Sequence, residues 1–352
     1  MPRHITIGGR RVGPGEPVYI VAEMSANHNQ DYEQAVAIIR AAAEAGADAV
    51  KLQTYTPDTL TIDCDEPWFR IGSGTIWEGK TLYRLYGEAY TPWEWQPDLK
   101  REAERLGLAL FSSPFDPTAV TFLEQMGVPA YKVASFEIVD HALLTAIGQT
   151  GKPVIVSTGM ATFEEIEEAV KVLQDAGATE IALLKCTSAY PARPEEMNLR
   201  TIPHLASAFG VPVGLSDHTL GITVPVAAVA LGATLIEKHI TLSRALPGPD
   251  AAFSLEPAEF AEMVRAVRDT EKALGSVSYA VGEREAKSRI FRRSLFVVKD
   301  IQAGEVFTTE HVRSIRPGYG LHPRELPRVL GKPAARSLRR GTPLAAEDVV
   351  GF

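Results

Sequence analysis

Two short stretches carry the residues best suited to chemistry, "GLSDHT" at 214–219 and "EKHITL" at 237–242. Each closes an apolar run of strand length and each contains a histidine, His218 or His239. Two imidazoles at neighbouring strand ends could hold one divalent metal. Two ligands would leave several coordination positions open for substrate oxygens, as a Lewis-acid site requires. A single histidine in such a place is more often a hydrogen-bonded structural residue, so the pairing carries the metal reading. His4, His141, His204, His311 and His322 lie away from strand ends and read as ordinary residues, while His28 stays open.

Other strand-length runs end in polar residues as well. The first ends in Glu23, with Asn27 and His28 behind it; the second offers Lys51 and Gln53; the third Ser112 and Ser113; the fourth Lys132, Ser135 and Glu137. The fifth gives Ser157 and Thr158, the sixth Lys185, Thr187, Ser188 and Tyr190, the seventh Ser216 and Asp217, the eighth Glu237 and Lys238. Side chains alternate along a strand, so Lys51 shares a face with Gln53, Ser216 with His218, and Glu237 with His239. An interior with three lysines and several hydroxyls suits an anion bearing phosphate and carboxylate groups. The bland alternative is that the lysines form buried ion pairs with Glu23, Glu137 or Glu237.

These ends must be positioned by a scaffold. "VYIVAEM", "AVKLQTY", "LALFSSPF", "YKVASFE", "PVIVSTG", "IALLKCT", "VPVGLSDH" and "TLIEKHIT" alternate with segments of helical spacing such as "DYEQAVAIIRAAAEAGA" and "TFEEIEEAVKVLQDAGA". Thr162 with Glu165 reads as a capping box. Eight strands alternating with helices in about 250 residues predict an α/β fold of the (β/α)8 TIM-barrel type. A doubly wound sheet is disfavoured because no G-x-G-x-x-G turn follows the first strand. The catalytic barrel is assigned to 1–274, a linker to 275–291 and a small, mostly-β domain to 292–352. Segment 56–91, rich in Trp, Tyr and Gly, is long enough to be functional; its Trp68, Trp77 and Tyr83 offer apolar contact area to a ligand or pack the loop onto the barrel.

The chain of 352 residues has a net charge of −8. Residues 1–283 carry 22 Lys and Arg against 37 Asp and Glu, and residues 284–352 carry 14 against 7. The tail's basic residues are scattered singly, which argues against nucleic acid and suits docking on an acidic surface. No apolar run reaches the roughly 18 residues of a membrane span, and the N-terminus lacks the apolar core of a signal peptide. Cys64 and Cys186 show neither zinc spacing nor a disulfide framework, so a cytoplasmic location is expected.

In order along the chain, "AEMSANHN", "KLQTY", "YKVASFE", "STGMAT", "LLKCTSAYP", "GLSDHT", "EKHITL" and "PGPDAAFSLEP" resemble the blocks of the sialic acid synthase family, the nonulosonic acid synthases. "FRRSLFVVKDIQAGEVFTTEHVRSIRPGYGLHP" resembles that family's antifreeze-like (SAF, β-clip) tail domain. The wording is similar to the pseudaminic acid branch in "AEMSANHN", "KLQTYTPDTLT", "SSPFD" and "FEIVD". Gln30, where Gly is common, and Ser243, where Asp is frequent, are the departures.

The resemblance implies a condensation of phosphoenolpyruvate with the aldehyde of a di-N-acetylated amino sugar, 2,4-diacetamido-2,4,6-trideoxy-L-altrose in that branch. It implies Mn2+, with Mg2+, Co2+ or Zn2+ as substitutes, on His218 and His239. Phosphoenolpyruvate contacts fall on Lys51, Ser113, Lys132, Ser135, Ser157, Ser188, Tyr190 and Ser216, and sugar contacts on Gln53, Asp250 and, from the tail, Arg316. Glu23 and Glu237 fall near the reacting carbons, Glu237 being favoured to activate water. A domain-swapped homodimer, with each tail capping the partner's barrel, is also implied. N-acetylneuraminate or legionaminic acid synthesis is the alternative. A metal-dependent barrel hydrolase is disfavoured because the first strand ends in Glu-Met-Ser rather than His-x-His. A lapsed sugar-binding protein is disfavoured because no lysine or histidine of the set is lost.

Overall fold

The structure, a computed structural model, describes residues 4–74 and 77–352. The chain divides into two compact units, one ending at Gly275 and one of Ser276–Phe352.

The first unit opens with a hairpin of strands β1 (Ile5–Ile7) and β2 (Arg10–Val12) that the sequence reading does not anticipate. Its two-residue turn is Gly8–Gly9, both at positive φ (56° and 81°), which is the turn that glycine pairs form between antiparallel strands. Ile5, Ile7 and Val12 are fully buried in the barrel's own core. The hairpin packs across the N-terminal end of the barrel: Gly8 lies against Ala109, and the Thr6 amide donates to Glu180 Oε2 at 3.1 Å.

The eight expected strands follow as β3 (Tyr19–Glu23), β4 (Ala49–Thr54), β5 (Ala109–Pro114), β6 (Tyr131–Val133), β7 (Val154–Ser157), β8 (Ile181–Cys186), β9 (Val213–Asp217) and β10 (Leu235–His239). They pair in parallel in sequence order, and β10 closes on β3, giving a closed barrel. Every residue of β3, β6, β7, β9 and β10 is buried, because helices cover the outside and side chains fill the inside. Crossover helices such as Tyr32–Glu44, Phe163–Asp175 and Pro257–Leu274 turn apolar faces to the sheet. The box at Thr162 and Glu165 forms as expected, each side chain accepting from the other's backbone amide. Segment 56–91 is less irregular than its composition suggests, with helices at Pro57–Leu60 and Leu82–Ala89.

The second unit pairs β11 (Ser294–Val297) with β12 (Val312–Ile315) around Leu295, Val297, Ile301, Phe307, Val312 and Leu344. A short helix, Glu283–Ser288, precedes them. No helix among the described residues is long and apolar enough to cross a membrane.

Candidate active site

Strand register sets the site. Glu23 on β3 lies beside His239 on β10 and Lys51 on β4, Gln53 beside Ser113, and Glu237 beside Ser216. Lys51, Gln53, Ser216, Glu237 and His239 of this set face a cavity of about 470 Å³ at the C-terminal ends of the strands, where βα loops converge in such barrels. Its lining includes Lys51, Gln53, Lys132, Ser135, Ser157, Tyr190, Ser216, His218, Glu237, His239 and Asp250. Glu23 and Ser113 sit just behind it, 3.0 Å and 3.5 Å from Lys51 Nζ. Arg316 belongs to the second unit, exposed in the turn after β12.

Lys51 is not a bare cation awaiting a ligand. Its Nζ lies 3.0 Å from Glu23 Oε2 and 3.1 Å from Glu237 Oε1, so the ion-pair alternative holds at this residue. Burial alone would discharge Lys51, but the two carboxylates outweigh it and raise its pKa. The same burial raises Glu23 against the pull of Lys51, whereas for Glu237 the fields of Lys132 and Lys51 overcome burial and hold it below the usual range. Oε2 of Glu237 is buried without a hydrogen-bond partner.

Lys132 is less neutralised. Its Nζ donates to Ser157 Oγ at 2.6 Å and to the Val133 carbonyl at 3.1 Å, while Glu237 Oε1 is 3.9 Å away. Burial lowers it to about 8, with Glu237 opposing and Lys51 reinforcing the shift. Ser135 Oγ accepts from the Gly159 amide at 3.1 Å. A Cβ on Gly159 would fall 2.2 Å from Ser188 Oγ and 2.7 Å from Ser135 Oγ, so only glycine lets these hydroxyls close around one spot. Lys132, Ser135, Ser157 and Ser188 thus form a compact cradle with the chemistry of a phosphate site.

His218 and His239 stand with ring centroids 5.4 Å apart. His218 Nδ1 donates to the Thr187 carbonyl at 3.0 Å, which leaves the Nε2 lone pair available, and His239 Nδ1 is buried with no protein partner. Burial, with the surrounding cations, keeps His239 neutral, its pKa well below the ordinary value. Two imidazole nitrogens with free lone pairs fit a divalent ion. Among the described residues no cluster of three or more His, Cys, Asp or Glu forms a fuller cage.

On the outer face of the same strand ends, Lys238 Nζ lies 2.5 Å from Asp217 Oδ2, both fully buried, and Thr219 caps Asp217 through its amide and hydroxyl. Each partner immediately precedes a histidine, so this pair ties the ends of β9 and β10 together.

Some sequence expectations are corrected. Lys185 points away from the cavity into an open groove of about 890 Å³ beside Arg200 and His204, because the alternation that brings Cys186 inward sends it out. Thr158 lines that groove too, and Ser112 bonds Thr54 at 2.6 Å. His28 is structural: buried, it donates to Thr91 Oγ1 at 3.1 Å and packs edge-on against Trp95. Of the loop aromatics, Trp77 reaches the cavity, its Nε1 donating to the Pro249 carbonyl at 2.9 Å. Trp68 is 86% exposed, and Tyr83 bonds Asp58 instead.

Several residues escape the sequence reading. Tyr55, Leu60, Leu85, Tyr86 and Phe115 give the cavity an apolar wall, in which the Tyr55 ring packs edge-on against Tyr86 and Phe115. Ser25 lines it too, and only its place two residues beyond Glu23 could have flagged it. Glu137, by contrast, is named at its strand end in the sequence; it lines the cavity, raised to about 7 chiefly by burial.

A parallel barrel whose strand ends bring paired acids, buried lysines and two histidines to one cavity can do acid–base and anion-binding chemistry, and the sequence comparisons resolve the class. The chain belongs to the NeuB family, matched over residues 38–279, with a SAF domain matched over 292–350. It is an enzyme of this class, a phosphoenolpyruvate-dependent sugar-acid synthase that forms a carbon–carbon bond. It is similar to the pseudaminic acid synthase of Helicobacter pylori, 45% identical over 335 residues, 95% of this chain and 98% of that protein. The N,N'-diacetyllegionaminic acid synthase of Legionella pneumophila is 35% identical over 342 residues, 96% of each chain. A solved structure, N-acetylneuraminic acid synthetase from Leptospira borgpetersenii in complex with citrate, is similar with a TM-score of 0.72 and 33% identity, covering 82% of this chain and 95% of that one.

Proposed function

We propose that the chain is a pseudaminic acid synthase. It joins phosphoenolpyruvate to the open-chain aldehyde of 2,4-diacetamido-2,4,6-trideoxy-L-altrose, releasing phosphate and a nine-carbon sugar acid. The observation that carries this is the mixed lining of the cavity. Its lysines and hydroxyls suit a small trianion, and its apolar residues Tyr55, Leu60, Leu85, Tyr86 and Phe115 suit a deoxygenated, acetylated sugar. The 45% identity to a pseudaminic acid synthase, against 35% to a legionaminic acid synthase, supports the same choice.

In this reading Lys132, Ser135, Ser157 and Ser188 hold the phosphate, and Lys51, Ser113, Tyr190 and Ser216 the rest of phosphoenolpyruvate. Gln53, Asp250 and Arg316 hold the sugar. His218 and His239 would hold the ion, Mn2+ by preference, which when bound supplies Lewis-acid polarisation of the aldehyde oxygen. The enol π pair forms the new C–C bond as the aldehyde C=O π pair moves onto its oxygen, leaving an oxocarbenium at the carbon bearing phosphate. Water then adds to that carbon, Glu237 taking its proton, which ends on the former aldehyde oxygen as a hydroxyl. The C–O bond to phosphate breaks as the added hydroxyl gives up its proton to phosphate and becomes the ketone, and Lys132 neutralises the charge that departs. The working unit is a homodimer in the cytoplasm, with Arg316 reaching the partner's barrel.

The test is phosphate release from phosphoenolpyruvate carrying a labelled bridging oxygen, run with a panel of amino sugars and Mn2+. Label leaving with phosphate, and turnover of the diacetamido sugar, are expected. Label retained in the sugar acid would refute the mechanism, and turnover of N-acetylmannosamine alone would refute the substrate.

A pH dependence follows from Lys132. The groups facing it are Glu237, Lys51, Cys186 and Glu23, with Glu137 across the cavity. Lys132 is charged below about 8 and neutral above it. kcat/KM for phosphoenolpyruvate is therefore expected to fall about tenfold per pH unit above that point. In Lys132→Arg this limb should vanish, since guanidinium does not titrate there; a wild-type profile flat through pH 9 would contradict the assignment.

A further inference from the structure

Ser25, directly after β3 in the second position beyond Glu23, has φ +46°, a left-handed conformation natural to glycine and unfavourable for a residue with a Cβ. It is 3% exposed and lines the cavity. Its hydroxyl donates to Asp250 Oδ2, and the next amide, that of Ala26, donates to the same carboxylate. The left-handed turn thus aims two successive donors at Asp250. On its other side Ser25 Oγ accepts from Gln53 Nε2 at 3.0 Å, and that amide group also donates to Glu23 Oε1 at 3.0 Å.

Barrel order explains the linkage. β3 lies between β10 and β4, so the loop after β3 is the one that can touch both Asp250, beyond β10, and Gln53, on β4. The hydroxyl spends its proton on one and its acceptor on the other. Both side chains are fixed in orientation, and both present acceptors to the cavity: the Gln53 carbonyl oxygen, because its amino group is occupied, and the remaining lone pairs of Asp250.

We propose that Ser25 is a positioning residue for the sugar, which orients Gln53 and Asp250 as a pair of acceptors for the amide N–H and hydroxyl donors of an N-acetylated open-chain sugar. The proposal rests on the synthase reading, in which the sugar occupies this end of the cavity. The strained backbone is retained because the hydroxyl is used.

The test measures steady-state phosphate release by the full-length chain loaded with Mn2+, with each substrate varied in turn, for wild type, Ser25→Ala and Ser25→Gly. Alanine removes the hydroxyl and keeps the strain; glycine removes both. In each variant KM for the diacetamido sugar is expected to rise roughly tenfold, the size of one well-placed hydrogen bond, while KM for phosphoenolpyruvate stays within about twofold. Glycine should restore thermal stability without restoring sugar affinity. Unchanged sugar KM in Ser25→Gly would overturn the proposal, as would equal rises in both KM values. Should the alanine variant not fold, the glycine variant decides alone. A wild-type chain that releases no phosphate with any sugar would instead remove the synthase reading itself, and the proposal with it.

Discussion

Glu237→Gln is expected to lower kcat by roughly 10²- to 10⁴-fold, the usual contribution of a positioned proton acceptor, with little change in KM for phosphoenolpyruvate. Glutamine keeps the shape of the side chain and its contact with Ser216, which lies 3.2 Å from Oε1. Lys51 keeps Glu23 at 3.0 Å, so no cation is stranded by the change. What is lost is a carboxylate that lines the cavity and stands two residues before His239 on the same face. Glu23, fully buried behind Lys51 and bonded to Gln53, is less well placed. Glu23→Gln should therefore cost no more than about tenfold; the reverse ranking of the two variants would transfer the role to Glu23.

The same variant probes the proposed exchange of tails. Glu237→Gln disables a barrel, and Arg316→Ala disables a tail. If each site combines one subunit's barrel with its partner's tail, co-expression of the two inactive chains yields mixed dimers with one intact site and measurable turnover. If each tail serves its own barrel, the mixture stays inactive.

The second large effect is on stability. Lys238→Met leaves Asp217 fully buried without its counter-charge, and breaking such a pair costs about 3–5 kcal/mol. Thr219 continues to donate to Asp217 at 2.9 Å and 3.0 Å but supplies no charge. Urea unfolding should report this loss. The double variant Asp217→Asn, Lys238→Met should recover most of it, because no unpaired charge remains inside. A single variant within about 1 kcal/mol of wild type would show the pair to be energetically idle.

The barrel was legible because its strands are buried on both faces, so each reads as a short apolar run, and polar residues break the pattern only where a run meets the cavity. Strand alternation also tells Lys51 from its neighbours. Applied to β8 it would have removed Lys185, since Cys186 and Lys185 cannot both face inward. The N-terminal hairpin was not legible: three-residue strands leave too few positions to show a period. Nor was the apolar wall, because Leu60, Leu85 and Tyr86 reach the cavity only through the way segment 56–91 folds back. Ser25 was hidden for another reason, since nothing in its residue type announces a left-handed backbone.

The packed barrel core, which the hairpin joins through Ile5, Ile7 and Val12, leaves the cavity lined by residues of very different depth. Lys132 and Ser157, 1% and 2% exposed, lie at its depth, whereas Phe136, on the same lining, is 60% exposed at the rim. The cradle residues are thus the least accessible part of the lining, so a ligand seated nearer the rim would obstruct exchange of one held in the cradle.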